Sequence, residues 1–231
     1  MAYWMPVCAG MTTGKFRQVK PLRILITGFG SFPGAPYNPT PELVERLTHL
    51  RRPALADVAR IGHVFPVTYQ AVDHALPDLL RRHRPDALLM FGLAARTPCV
   101  RIETRARNAV TMLWPDANGG TRGGRTIASG ADDMHFGPHT LRLLRAARAT
   151  RIDARLSHDA GRYLCNYLCW RALEAARDGR APRLAAFVHV PLVARAPAMQ
   201  RRGASRHAAL VHLMAAGEAM LLQITALARK N

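Results

Sequence analysis

A chain of 231 residues that is 49% hydrophobic has the material for one large domain with a sizeable core, which excludes disorder as its general state. Its formal net charge of +18 suggests nucleic acid on its face, but thirty of the 33 basic residues are arginines scattered along the whole chain, and no zinc-finger spacing, RNP-like run or heptad series accompanies them. No apolar run approaches the roughly 18 residues needed to cross a bilayer, and four cysteines without dense, even spacing fit a reducing cytoplasm better than a disulfide scaffold.

The first twenty residues, MAYWMPVCAGMTTGKFRQVK, have neither the basic-then-apolar order of a signal peptide nor a strand or helix period. They are expected to be a loose extension (1–20), with Met11 as an alternative start, ahead of a single α/β domain over 21–231. LRILITGF (22–29) is a nearly continuous apolar run ending in glycine and phenylalanine, as a buried strand would be. A Gly- and Pro-rich loop follows, and then NPTPELVERLTHL, whose early prolines and spacing from Leu43 predict a helix. VARIGHVFPV (58–67) predicts a second strand, 70–83 a helix that tolerates Pro77, and DALLMFGL (86–93) a third strand. Residues 94–135 are irregular, punctuated by glycines at 119, 120, 123 and 124, with room for a hairpin. A helix over 139–149, a strand at IDARLS (152–157), a helix carrying Cys165, a strand at LAAFVHV (184–190) and a long amphipathic helix over 205–229 complete the order. Strands alternating with helices imply parallel crossovers, so the expected fold is a three-layer α/β/α sandwich on a mostly parallel twisted sheet. In such sheets, functional groups gather beyond the carboxyl ends of strands.

The loop GFGSFPG (28–34) lacks the third glycine of a dinucleotide fingerprint, because Pro33 stands where it belongs. Its glycines suit a tight turn, and its two aromatics, Phe29 and Phe32, either pack under the loop or wall a pocket for a flat ligand. In AGRYLCNYLCW, Cys165 and Cys169 lie one helical turn apart. Free cysteine usually packs as a small hydrophobe. Cys165, however, falls at a helix start, where free N–H groups and the positive end of the dipole favour thiolate and can hold an oxyanion. Cys169, a turn further in, is assigned to the core. His189, in FVHVP at the carboxyl end of a strand, is placed by the strand-end rule on the same sheet edge as Cys165, as the base that a cysteine nucleophile needs. Glu103, in VRIETRARN after the third strand, is the third group that could orient and stabilise His189. Zinc held by the two cysteines and His189 is the weaker alternative.

With those residues in view, the chain resembles the pyroglutamyl peptidase I family of cysteine peptidases over about residues 22–228. ITGFGSFPGAPYNP is similar to the family's amino-terminal signature. FGLAARTPCVRIETRARN is similar to the segment bearing its glutamate, and the spacing continues without gaps to Asn108 and Pro115–Asp116. AGRYLCNY and FVHVP are similar to its nucleophile and histidine motifs. The resemblance implies Cys165, His189 and Glu103 as catalytic residues, and Phe29, Phe32 and Tyr163 as walls around the lactam ring. It implies removal of N-terminal pyroglutamate from small peptides with no metal or cofactor, no specific nucleic acid and no membrane partner, and with self-association. The sequence departs from the family pattern where Thr104 follows the glutamate in place of arginine, where Ala94–Ala95 replace a glycine pair before Arg96, and where Arg162 enters the nucleophile loop. Two alternatives stand beside this reading: a divergent member that binds N-terminal lactams with little cleavage, and a basic nucleic-acid-binding α/β protein.

Overall fold

The structure, a computed structural model, describes residues 20–32, 34–179, 181–193 and 210–230. The expected extension therefore lies, but for its last residue, outside the described residues. Apolar runs bounded by Gly- and Pro-rich loops form the strands β1 (Leu22–Phe29), β2 (Val58–Phe65), β3 (Ala87–Leu93) and β8 (Leu184–Val190). The helices between them are α1 (Thr40–His49), α2 (Tyr69–His83), α3 (His139–Ala149), α4 (Leu164–Arg177) and α5 (Leu210–Ala228). Local chemistry sets several boundaries. Thr68 caps α2 by accepting a hydrogen bond from Ala71 N, and the helix stops where Arg84 turns left-handed at φ 43°. Asn38 and Thr40 tie the loop after β1 to the strand end: Asn38 Nδ2 donates to the Phe29 and Gly30 carbonyls, and Thr40 Oγ1 donates to Phe29 O and accepts from Phe29 N.

The irregular stretch holds more strand than its sequence suggests. Val100–Glu103 forms β4, and Arg105–Ala106 (β5) pairs antiparallel with Met134–His135 (β6), too far apart in the chain to be the expected hairpin. With β7 (Ala154–Ser157) the main sheet has the order β2-β1-β3-β8-β4-β7. Strands β1, β2, β3 and β8 are parallel. β4 runs antiparallel to β8, and β7 follows β4. The reason is length: only residues 94–99 join β3 to β4, too few for the crossover that a parallel return requires.

Side chains alternate along each strand and divide the core in two. Ile24, Ile26, Leu89, Phe91, Ile102, Ala186 and Val188 face the α1, α3 and α5 layer. Leu25, Leu88, Met90, Ala185 and Phe187 face α2 and α4. α5 corrects the sequence reading in one respect. The described helix begins at Leu210, with 205–209 outside the described residues, and it is long and apolar enough by composition to cross a membrane. Its Leu213, Met220, Leu221 and Ile224 are instead buried in the core shared with α1 and α3.

Candidate active site

Strand parity assembles the site. On β8, Val188 and Val190 face the α5 layer, so His189 between them faces α4. On β4, Val100 and Ile102 face the α5 layer, so Arg101 and Glu103 also face α4. Antiparallel pairing sets Arg101 directly opposite His189, with Glu103 one diagonal step away. Glu103 is thus the last residue of β4, not a loop residue beyond β3 as its sequence position suggested. Because β4 and β7 run against β8, their carboxyl ends do not share its edge. The strand-end rule therefore does not account for the positions of Glu103 and Cys165; strand parity and the start of α4 do.

Glu103 is fully buried, and His189 is 4% exposed. His189 Nδ1 lies 2.7 Å from Glu103 Oε1. A carboxylate only accepts, so Nδ1 carries the proton and Nε2 is left as the basic nitrogen. Arg101 lies alongside, Nε at 3.5 Å from Glu103 Oε1 and Nη2 at 3.3 Å from His189 Nδ1. Both nitrogens of that second pair are donors, so it is a contact while Nδ1 keeps its proton. The Phe187 ring meets the imidazole edge-on at 4.9 Å.

Cys165 is the second residue of α4, which Tyr163 precedes in an extended conformation without a side-chain cap. Its sulfur sits over Gly92, the register partner of His189 on the neighbouring strand: a Cβ built on Gly92 would come 2.8 Å from Cys165 Sγ and 2.6 Å from Phe187 Cζ. Paired residues on neighbouring strands share a face about 4.8 Å apart, so sulfur and imidazole project into one space. Burial, followed by the Glu103 charge, pushes the Cys165 thiol up to about 12, with Arg101 acting the other way. The residue as a whole is partly exposed, and the free N–H groups at the helix start act against this desolvation. Cys169 is fully buried, and burial raises its thiol well above the ordinary value, as suits a core residue.

The aromatic candidates separate. Tyr163 and Phe32 are partly exposed, whereas Phe29 is only 4% exposed and packs against Phe65 at 5.9 Å. Tyr163 meets Tyr69 and Trp114 edge-on and donates to Pro115 O at 2.9 Å. Arg162 is exposed, and its carbonyl accepts from Thr111 N at 2.6 Å. Thr104 bonds Ser157 O and His158, and Arg105 donates to His158 O, so neither reaches Glu103.

Three residues escaped the sequence reading. Arg101 could have been suspected only as the same-face neighbour two before Glu103. Gly92 is a close-approach glycine whose neighbours come from other elements. Asn166, beside Cys165, is fully buried, accepting from Arg107 N (2.8 Å) and donating to the Arg107 and Ala109 carbonyls (both 2.9 Å). A polar residue within an otherwise apolar helical run was the available signal. Among the described residues no cluster of three His, Cys, Asp or Glu side chains suits a metal, and the zinc alternative has no geometric support. A groove of about 630 Å³ between α2 and α4, lined by Leu76, Leu80, Arg84 and Arg171, contains none of the candidate site residues.

Residues 22–222 match the family model described as pyroglutamyl peptidase. The pyrrolidone-carboxylate peptidase of Thermococcus onnurineus is 32% identical over 173 residues, 74% of this chain and 84% of that protein. The protein of the same name from Deinococcus radiodurans is 33% identical over 170 residues, 73% of this chain and 77% of that one. The crystal structure of pyrrolidone carboxyl peptidase from Fervidobacterium islandicum AW-1 superposes with a TM-score of 0.78 at 25% identity, covering 88% of this chain and 98% of that chain. The Thermococcus litoralis pyrrolidone carboxyl peptidase shares the fold, with a TM-score of 0.79 over 91% of this chain and 96% of its own, at 23% identity. The chain belongs to the pyroglutamyl peptidase family, cysteine peptidases that remove N-terminal pyroglutamate.

Proposed function

We propose that Cys165, His189 and Glu103 carry this hydrolysis. The observation that supports the reading most is the 2.7 Å contact of His189 with a fully buried carboxylate, on the face where the Cys165 sulfur lies over Gly92. His189 Nε2 takes the thiol proton as Cys165 Sγ attacks the pyroglutamyl carbonyl carbon. The uncapped N–H groups at the start of α4 face the oxyanion that forms there. As the intermediate collapses, the C–N bond breaks and the imidazolium gives its proton to the departing amine. Glu103 stabilises that imidazolium and fixes the tautomer. Water, deprotonated by His189, attacks the thioester, and pyroglutamate leaves as Cys165 regains its proton.

Small peptides with an N-terminal pyroglutamate are the partners of this reading. Tyr163 and Phe32 flank the neutral, flat lactam, which needs apolar walls and a few hydrogen bonds rather than a counter-charge; Phe29 backs the loop from the core. The free thiols Cys99, Cys165 and Cys169 support a reducing, cytoplasmic setting. The direct experiment is release of a fluorescent amine from a pyroglutamyl conjugate by the wild-type chain and by Cys165→Ala. Turnover that survives in the variant refutes the assignment of the nucleophile.

A further inference from the structure

The mechanism leaves one buried charge without an explained counter-charge. Glu103 is fully buried and its Oε2 accepts no hydrogen bond among the described residues. Its nearest partner is His189, which in the role of general base holds a proton on Nδ1 and none on Nε2. A buried carboxylate held only by neutral donors tends to take up a proton, and would then no longer steady an imidazolium. The guanidinium that meets it comes from Arg101, two residues earlier on the same strand and face, with a side chain 28% exposed against none for Glu103. Arg101 touches both members of the pair, at 3.5 Å and 3.3 Å, while Arg105, the nearest following arginine, is turned to His158 and Asp133.

We propose that Arg101 is a positioning residue for the reaction: its guanidinium neutralises the Glu103 carboxylate that holds His189, and thereby sets the pH range over which the Cys165–His189 pair reacts. The inference rests on the catalytic reading above but is testable apart from it. The sign follows from charge alone. Two deprotonations belong to the site, one of the imidazolium and one of the thiol. Each lowers the net charge by one, so a nearby fixed cation favours both. The charged and titratable groups around the sulfur are Glu103 and Arg101 from β4, His189 from β8, and Tyr163 and Cys169 at α4. Arg101 is the cation among them. Removing it moves both transitions to higher pH, whereas loss of a merely structural contact lowers the plateau and leaves the transitions where they were.

The experiment compares the wild type, Arg101→Gln and Arg101→Lys. One readout is the pH profile of kcat/KM on a pyroglutamyl fluorogenic conjugate. The other is the pH dependence of Cys165 alkylation by iodoacetamide, followed by mass spectrometry, which needs no hydrolysis. The expected result is a displacement of the acid limb and of the alkylation curve by about one pH unit upward in Arg101→Gln, with most of it restored by Arg101→Lys. Unmoved curves in Arg101→Gln, or a downward displacement, overturn the proposal. If Arg101→Gln does not fold, Arg101→Lys and Arg101→Met serve in its place, and the lysine variant must lie closer to the wild type than the methionine variant does. If the wild type shows no hydrolysis, the triad reading fails while the alkylation curves still decide the role of Arg101.

Discussion

The sulfur of Cys165 rests against the backbone of Gly92, so closely that a Cβ there would lie 2.8 Å from it. Gly92 is in turn the register partner of His189. One hydrogen atom in place of a methyl group therefore sets how closely the Cys165 sulfur approaches the strand that pairs with His189. Gly92→Ala should move the sulfur, because the methyl also meets the buried ring of Phe187 at 2.6 Å and has nowhere to shift. The expected outcome is a loss of about 1–3 kcal/mol in stability from overpacking and a fall of roughly 100-fold in kcat/KM from the displaced nucleophile. Steady-state kinetics beside a urea titration checks both, and a variant with full activity would show that the sulfur's position over Gly92 is immaterial.

Cys165 and Cys169 share a helix but not an environment. Cys165→Ser is expected to abolish turnover with an unchanged fold. Cys169→Ala should keep most of the activity while losing about 1 kcal/mol of stability, near the figure for one buried methylene-sized group. Circular dichroism melts and hydrolysis rates separate the two, and equal losses of activity would contradict the assignment.

The raised thiols make a pH prediction for stability. Burial holds the Cys165 proton to about 12, against an ordinary value of 9.0. Between those values the unfolded chain has lost the proton and the native chain has kept it, so unfolding releases a proton and stability falls as pH rises. The slope is about 1.4 kcal/mol per pH unit for each such thiol. Below the unfolded value both states hold the proton and no dependence remains. Urea titrations from pH 8 to 10.5 should therefore show a decline that is shallower in Cys165→Ser. Parallel curves for the two proteins would mean that the thiol is solvated in the native state.

Asn166 should be a stability residue with a kinetic signature. Its side chain satisfies one amide and two carbonyls of the 107–109 segment from within α4. Asn166→Ala leaves those groups unpaired, at about 3 kcal/mol on the scale for buried unsatisfied polar groups. Because it neighbours Cys165, kcat should fall as well. A melt within a degree of wild type would show that water replaces these bonds.

Phe32 and Phe29 should respond differently to truncation. Phe32→Ala should lose roughly 1–3 kcal/mol of transition-state binding for pyroglutamyl substrates and leave Cys165 alkylation nearly unchanged. Phe29→Ala should chiefly destabilise the fold, by about 3–5 kcal/mol, because its ring is packed on Phe65 in the core. Unaltered hydrolysis by Phe32→Ala would remove that ring from the lactam site.

Apolar period and loop chemistry made the strand–helix order legible, including β1, β3, β8 and the helix that begins just before Cys165, because these are local properties of short segments. The residue types and motifs around Cys165, His189 and Glu103 marked the candidate triad for the same reason: each motif is contiguous. What they left open is what depends on contacts between distant segments. β4 and β7 reverse because a six-residue link cannot make a crossover, and that reversal sets Arg101 opposite His189, 88 positions away in the chain. Burial sets Phe29, packed on Phe65, apart from the partly exposed Phe32, and turns Asn166 from an unremarked residue into a brace. It also sets desolvation against the helix start at Cys165, because that desolvation depends on what packs over the helix start. A helix end and its dipole can be read along the sequence, but the dielectric around it is decided by the tertiary structure.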